Sequence, residues 1–464
     1  MRVSVQACIE GKAERPSRII TVGVIERDDE FAPSSGLGLL MSETKALLKQ
    51  LQTVFVDEQV DRFFDVSAHC LSCQTPRGIK DTKRLVYRTV FGKASLRSSR
   101  YYSVCSTCGF CSGDKSTVSP LSHALAERVH PQWTWLQCRY PSVMSYRLAQ
   151  IYLRDAFAGG TELPSSSVKA NVRAVGERLE KEAQRAKWAA AKATAPRNRP
   201  ALTGLPVSLQ IDAGGILATR PLEGNRWIPV VVSKIFRPAT PHTHAHAYAS
   251  GPDPRQGLRQ QAFLQSIGIG LEVPVTVLCD GGDDIGFACK LPWATARVLD
   301  WFHIGMKFEH LLMSLQGLQG ADPYAKDDMR RCVIRAKWLL WHGQQGRCLE
   351  RLEALRRDIG WAGPRNPSGR LVRYLRGCSK YLVNYQQRRA QGLPISSAGA
   401  ESAVDYVVGQ RMKRNGHMRW TREGANALLQ VRCAALNGHD IGNFKRWYPP
   451  NGGVVREVAA AAIS

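Results

Sequence analysis

A chain of 464 residues is too long for one ordinary domain, and a hydrophobic content of 44% is enough to build real cores, which excludes a wholly disordered protein. The formal net charge of +25 points to a polyanionic partner, of which a phosphate backbone is the commonest. No apolar run approaches the roughly 18 residues of a membrane span, and the N-terminal stretch MRVSVQACIEGKAERPSR lacks a signal-peptide core, so a cytoplasmic protein is expected.

Residues 1–65 alternate weakly (RVSVQA, ITVGVI) and then turn helical from Ser42 to about Phe64, with Leu47, Leu48, Leu51 and Val54 on one face. Nothing in them indicates a chemistry. AHCLSC and SVCSTCGFC follow, carrying Cys70, Cys73, Cys105, Cys108 and Cys111. Between them RLVYRTVFGKASLRSSRYY reads as a basic β-hairpin turning near Phe91-Gly92-Lys93. Two C-x-x-C pairs on turns can place four thiolates around one Zn²⁺, so Cys70, Cys73, Cys105 and Cys108 are expected to form a closed, structural site. Cys111 is a spare or an alternative ligand. Thirteen cysteines in a reducing compartment argue against a disulfide framework. Cys8, Cys138, Cys279, Cys289, Cys332, Cys348 and Cys433 read as small buried hydrophobes, and Cys378 has no evident role.

SVMSYRLAQIYLRDAFA, Gly159-Gly160 and SVKANVRAVGERLEKEAQ have the outline of a helix-turn-helix. Its second helix would offer Lys169, Arg173 and Arg178 to double-stranded DNA. Residues 181–206 read as a linker or a frayed helix end, with the linker taken as 186–206. PVSLQIDAGGILATR and RWIPVVVSKIFRP then read as strands, followed by a helix, the buried strand VTVLC and the short strand ARVLDWFH. His242, His244 and His246 in PHTHAHAY are expected in a solvated loop. A basic helical region runs from about Gly305 to Gln391. From Lys326 to Arg389 it holds sixteen Lys or Arg against five acids. Trp301, Trp338, Trp341, Trp361 and Trp420 are expected mostly in cores, with stacking on unpaired bases as the alternative. A last helix, ESAVDYVVGQRMKRNG, ends in Arg411, Lys413 and Arg414, which are expected to contact DNA.

Three acids stand out in this basic chain. Asp212 closes LQID, Asp280 follows VTVLC, and Glu401 opens the last helix. Each is delivered by a regular element into a loop of small residues. Magnesium prefers such hard oxygen ligands, and two Mg²⁺ or Mn²⁺ ions held by them would suit phosphoryl transfer. Taken singly, each acid also suits a turn or a helix cap. Asp283 and Asp284 are alternatives to Asp280, and Asp405, one turn after Glu401, is a candidate fourth carboxylate.

The order Asp212, Asp280, Glu401, with a long helical segment before the glutamate, resembles the DDE transposases. DWFH, Asp300 to His303, is similar to the D-x-x-H motif of the Mutator-like group. ESAVDYVVGQRMKRNGHMRWTREGANALLQVR resembles the C-terminal block of the ISKra-type insertion-sequence transposases. The resemblance implies an α/β fold: a ribonuclease-H-like mixed sheet with a long all-α insertion, preceded by a zinc ribbon and a helix-turn-helix domain. The divisions would be 1–65, a zinc ribbon over 66–118, helix-turn-helix over 119–185, linker 186–206, catalytic core 207–304, insertion 305–395, core helices with Glu401 over 396–448, and a tail 449–464. The implied activity is metal-dependent cleavage at element ends and strand transfer to target DNA by a homo-oligomer on bacterial nucleoid DNA. Asp212, Asp280 and Glu401 would be the metal-binding triad, with Asp300 and His303 as accessory residues. The rival readings are an inactive DNA-binding protein and a cellular metal-dependent nuclease.

Overall fold

The computed structural model describes residues 1–10, 16–27, 37–110, 116–125, 127–192, 207–222, 224–236, 244–249, 251, 256–281, 291, 294–318, 322–360, 366–396, 402–413 and 418–449. It is a mixed α/β structure of two compact units, Met1–Asn171 with Ile441–Ser464, and Val172–Asp440.

In the first unit, β1 (Arg2–Ile9) and β2 (Arg18–Glu26) form an antiparallel hairpin. Helix α1 (Met41–Ser67) follows. On the face that the periodicity suggests, Leu51 is exposed but Leu47 packs on β2, its Cδ2 2.6 Å from where a Cβ on Gly23 would stand. On another face Val56 and Val60 meet Leu85 of β3 (Ile79–Thr89) and Ala94 and Leu96 of β4 (Gly92–Tyr102). The β3–β4 hairpin turns at Val90-Phe91, into Gly92 at φ +134°. Strand β5 (Thr117–Val118) completes a three-stranded sheet. Helices α2 (Pro120–Ala124), α3 (Pro131–Arg139) and α4 (Tyr146–Ala156) follow, and α4 is capped by Ser145, whose Oγ accepts from the Leu148 amide. Trp133, Leu136 and Leu153 pack with Val90, Leu163 and Val168 in a second core.

Helix α5 (Ser165–Lys192) contains the division between the units. It runs through residues 186–192, so the helix end, rather than a linker, occupies that part of the stretch. KEAQRAKWAAAK is rich in Ala, Lys and Arg, the strongest helix formers, and no glycine or proline stops it.

The second unit is built on one mixed sheet: β6 (Val207–Leu222), β7 (Asn225–Phe236), β8 (Ala245–Ala249), β9 (Val275–Cys279) and β10 (Ala296–Leu299). The strand order is β10-β9-β6-β7-β8. β9 lies parallel to β6 and β10, and β7 antiparallel to β6 and β8. Alternation divides the side chains between two cores. Val207, Leu209, Ile211, Val275, Val277 and Cys279 meet Phe263 and Leu264 of α6 (Gln256–Ser266). On the opposite face, Leu278, Val298 and Leu299 meet five helices. These are α7 (Trp301–Gln316), α8 (Pro323–Trp341), α9 (Gln345–Asp358), α10 (Pro367–Gly377) and α11 (Tyr385–Ala390). A π-helical stretch, Asp405–Lys413, precedes α12 (Arg422–Leu436), which joins β8 through Gln430 and Asn426. Helix α13 (Asp440–Trp447) follows, and from Ile441 it belongs to the first unit.

The expectation of a solvated histidine loop is corrected for His246, which is on β8. Its ring stacks on Phe263 at 4.9 Å and its Nε2 accepts from Arg259 Nε at 3.3 Å. Burial first, then the Arg259 charge, push its pKa down to about 3. His244 precedes the strand, and His242 lies outside the described residues. Cys138, Cys279, Cys348 and Cys433 are buried as expected, but Cys8 is exposed and Cys332 half-buried; Cys289 lies outside the described residues. Among the described residues no helix is long and apolar enough to cross a membrane.

Candidate functional site

The site begins with strand β9. All five residues of VTVLC are buried, and in the sheet β6 covers one edge and β10 the other. The last paired row matches Cys279 with Ile211 on one side and Leu299 on the other. One step on, Asp280 therefore stands between Asp212 and Asp300, on strands about 4.8 Å apart. Asp212 and Asp280 fall on the face opposite α6, because their neighbours Ile211 and Cys279 face it. From its sequence, LQIDAGG, Asp212 reads as a strand end. It is instead the sixth residue of a sixteen-residue strand, which continues in the antiparallel ladder with β7 after its parallel ladder with β9 stops.

DWFH starts a helix rather than ending a strand. Asp300 is fully buried. Its amide donates to Cys279 O at 3.1 Å, its Oδ1 caps α7 by accepting from the Phe302 amide at 2.8 Å, and its Oδ2 meets His303 Nδ1 at 2.6 Å. Burial alone would lower the His303 pKa, but Asp300, then the charges of Asp280 and Asp212, raise it above the ordinary imidazole value. His303 thus lies within electrostatic reach of both sheet carboxylates.

Two residues that the sequence reading missed complete this region. Tyr374 of α10 donates its hydroxyl to Asp280 Oδ1 at 2.8 Å. Lys307, one turn beyond His303 on α7, places Nζ 4.2 Å from the Tyr374 ring centroid. No local pattern marks Tyr374, which is 94 residues from Asp280 in sequence. Lys307 had a signal, the i, i+3, i+7 spacing of Asp300, His303 and Lys307 on one helix face.

Glu401, Asp283 and Asp284 lie outside the described residues. The described chain before Glu401 lies beside β6, where Gln210 Nε2 donates to Ser396 O at 3.3 Å. After it, Val404 Cγ1 lies 2.9 Å from where a Cβ on Gly214 would stand. Gln210 and Gly214 flank Asp212 on the same face of the strand. Asp212 and Asp280, on adjacent parallel strands, are hard oxygen donors of the kind a magnesium-type ion prefers.

The four cysteines meet in the first unit. Cys70, Cys73, Cys105 and Cys108 bring their sulfurs within 4.8 Å of one another. Sγ–Sγ separations are 3.8 Å for Cys70–Cys108 and 3.6 Å for Cys73–Cys105. A tetrahedron of roughly 2.3 Å Zn–S bonds requires about 3.8 Å, so the site can hold a metal such as zinc. The two C-x-x-C turns repeat each other. The amides of Ser72 and Thr107 each lie 3.4 Å from the first sulfur of their turn, and Gln74 and Gly109 both have positive φ, at 58° and 72°. The Cys108 amide, then the Thr75 hydroxyl, pull the Cys105 thiol down to about 5, and Thr75 also lowers Cys73. The Phe110 amide pulls Cys108 down, but its hydrogen bond with Cys73, burial and the other two sulfurs push it up to about 11. Among the described residues this is the one group of three or more His, Cys, Asp or Glu side chains gathered so closely; Cys111 lies outside them.

The expected DNA contacts separate into exposed and buried residues. Lys169 and Arg173 are exposed, with Arg173 bonded to Glu177 at 2.7 Å, and Arg178 is half-buried 4.0 Å from Glu182. Arg411 is corrected: it is buried, with its guanidinium 5.5 Å from the Trp420 ring centroid, and does not face solvent. Lys413 is exposed, its Nζ 3.9 Å from the Cβ position of Gly214, and Arg414 lies outside the described residues. Trp301 and Trp341 pack in the helical core, whereas Trp338 is exposed with Arg335 over its ring at 4.6 Å. Trp361 lies outside the described residues.

No protein-family model matches the chain, and no curated protein matches it.

Proposed function

We propose that the chain is a DDE-type transposase of the ISKra type, with a ribonuclease-H-like catalytic core that cleaves DNA at element ends and joins the freed 3′-hydroxyl to a target. The observation that carries this reading is the side-by-side placement of Asp212 and Asp280 on adjacent parallel strands. The sheet order β10-β9-β6-β7-β8, with β7 antiparallel, supports the fold. So does the helical insertion that follows Asp300.

Asp212 and Asp280 would hold the divalent ions, Mg²⁺ or Mn²⁺, with Glu401 as third ligand. The contacts of Ser396 and Val404 on either side of Asp212 support that choice. Bound ions would supply activation of the attacking oxygen and stabilisation of the leaving one. Asp300 holds the β10–α7 junction and orients His303 toward the acids. The insertion, with its excess of basic residues, would bind the DNA backbone. Helices α4 and α5 would form a helix-turn-helix that offers Lys169, Arg173 and Arg178, beside a zinc ribbon on Cys70, Cys73, Cys105 and Cys108.

The test is strand joining. The full chain is incubated with Mg²⁺, a labelled duplex made from the DNA flanking its coding region, and a supercoiled plasmid. Covalent transfer of label to plasmid by wild type, and none by Asp212→Asn, is the expected result. Equal transfer by both proteins would reject the proposal.

A further inference from the structure

We infer that Tyr374, carried by α10 of the helical insertion, is a positioning residue for Asp280, holding its carboxylate in one orientation on the metal-binding face of the sheet. The inference rests on the metal-binding reading above and adds to it a residue from outside the sheet.

The tyrosine hydroxyl donates to Asp280 Oδ1 at 2.8 Å. A bond from O–H to an anionic acceptor is among the stronger hydrogen bonds. Each carboxylate oxygen keeps a second lone-pair direction, so the bond restricts rotation without removing Asp280 from a metal. The ring itself is fixed, half-buried beneath the Lys307 ammonium at 4.2 Å. At the C-cap of the same helix, Cys378 lies close to the residue after Asp280: a Cβ on Gly281 would stand 2.3 Å from Cys378 Sγ. Only glycine admits that approach, so α10 bears on two successive residues at the tip of β9.

Outer-sphere partners of metal ligands act by fixing ligand direction, and their loss typically weakens metal binding by 10–100-fold. Tyr374→Phe keeps the ring under Lys307 and removes only the hydroxyl. Binding of Mn²⁺ to the full chain, followed by electron paramagnetic resonance, is expected to weaken about tenfold in Tyr374→Phe. In plasmid nicking the same variant should need more Mg²⁺ for half-maximal rate, yet approach the wild-type rate at saturating Mg²⁺. Cys378→Ala loosens the same helix but leaves the hydroxyl, and is expected to retain wild-type Mn²⁺ affinity. Unchanged affinity in Tyr374→Phe while Asp280→Asn is weakened would overturn the role of Tyr374 and leave the metal reading standing. Equal losses in Tyr374→Phe and Cys378→Ala would reduce Tyr374 to a docking contact and overturn it as well. If Asp280→Asn binds Mn²⁺ like wild type, the metal reading itself fails and the inference falls with it.

Discussion

Asp212 and Asp280 stand next to each other, each one residue beyond the last row of the parallel β6–β9 ladder, where Ile211 pairs with Cys279. Two carboxylates so placed repel each other, and a divalent cation relieves that repulsion. Mg²⁺ or Mn²⁺ is therefore expected to raise the melting temperature of the wild-type chain. At a concentration about a hundredfold above Kd the stabilisation is about 2.7 kcal/mol, a shift of several degrees. Asp280→Asn should shift much less. Equal shifts in scanning calorimetry would remove the metal from this site.

The four-cysteine site should copurify with a single zinc ion, measured by elemental analysis. Cys70→Ser or Cys105→Ser should lose it. Because binding requires thiolates, and Cys108 is held protonated until metal arrives, uptake must release protons and affinity must fall as pH falls. A pH-independent affinity, or full zinc content in both variants, would contradict a tetrathiolate site.

Glu180 of α5 supplies a pH-dependent part of the second unit's stability. Its oxygens accept from Arg259 of α6 at 2.7 and 2.8 Å and from Asn426 of α12 at 2.9 Å. Burial alone would raise its pKa; these donors outweigh it and hold the carboxyl at about 2, below the ordinary 4.5. A carboxyl lowered on folding stabilises fully above its unfolded pKa, so this contribution is present above pH 4.5 and is lost as pH falls toward 2. At neutral pH it is about 3 kcal/mol. Glu180→Gln should lose about that much in urea unfolding at pH 7, and the gap to wild type should narrow in acid. A gap that stays constant down to pH 3 would assign the loss to packing instead.

Gly176 and Gly305 are both helical, yet substitution should have opposite effects. A Cβ at Gly176 would stand 2.3 Å from the Ala427 carbonyl oxygen, where α5 crosses α12 backbone to backbone. Gly176→Ala should therefore destabilise by about 1–3 kcal/mol. Gly305 on α7 has nothing within 4 Å of its Cβ position, so Gly305→Ala should stabilise by roughly 0.5–1 kcal/mol through helix propensity. Chemical denaturation of the two variants separates these outcomes by sign.

Features set by local pattern were legible in the sequence. The buried run Val275–Cys279 ending on Asp280, the C-x-x-C turns and the helices after Asp300 all depend on neighbours in the chain. Features set by tertiary pairing were not. Asp212 reads as a strand end because Gly214 and Gly215 follow it, but pairing with β7 carries the strand on to Leu222. The alternation of His244 and His246 did allow a strand, and two nearby prolines argued against one. Arg411 reads as a surface charge in a basic stretch, and only the fold puts Trp420 over it. Tyr374 lies on an ordinary amphipathic helix, and its bond to Asp280 exists only once that helix has docked.

Nicking of supercoiled plasmid DNA, measured with wild type, Asp212→Asn and Asp280→Asn over a range of Mg²⁺, tests the central claim most directly. The account predicts nicking by wild type that requires Mg²⁺, and at least about a hundredfold loss in each variant, the scale of removing one group that stabilises transition-state charge. Nicking that persists in both variants, or that needs no divalent ion, would contradict it.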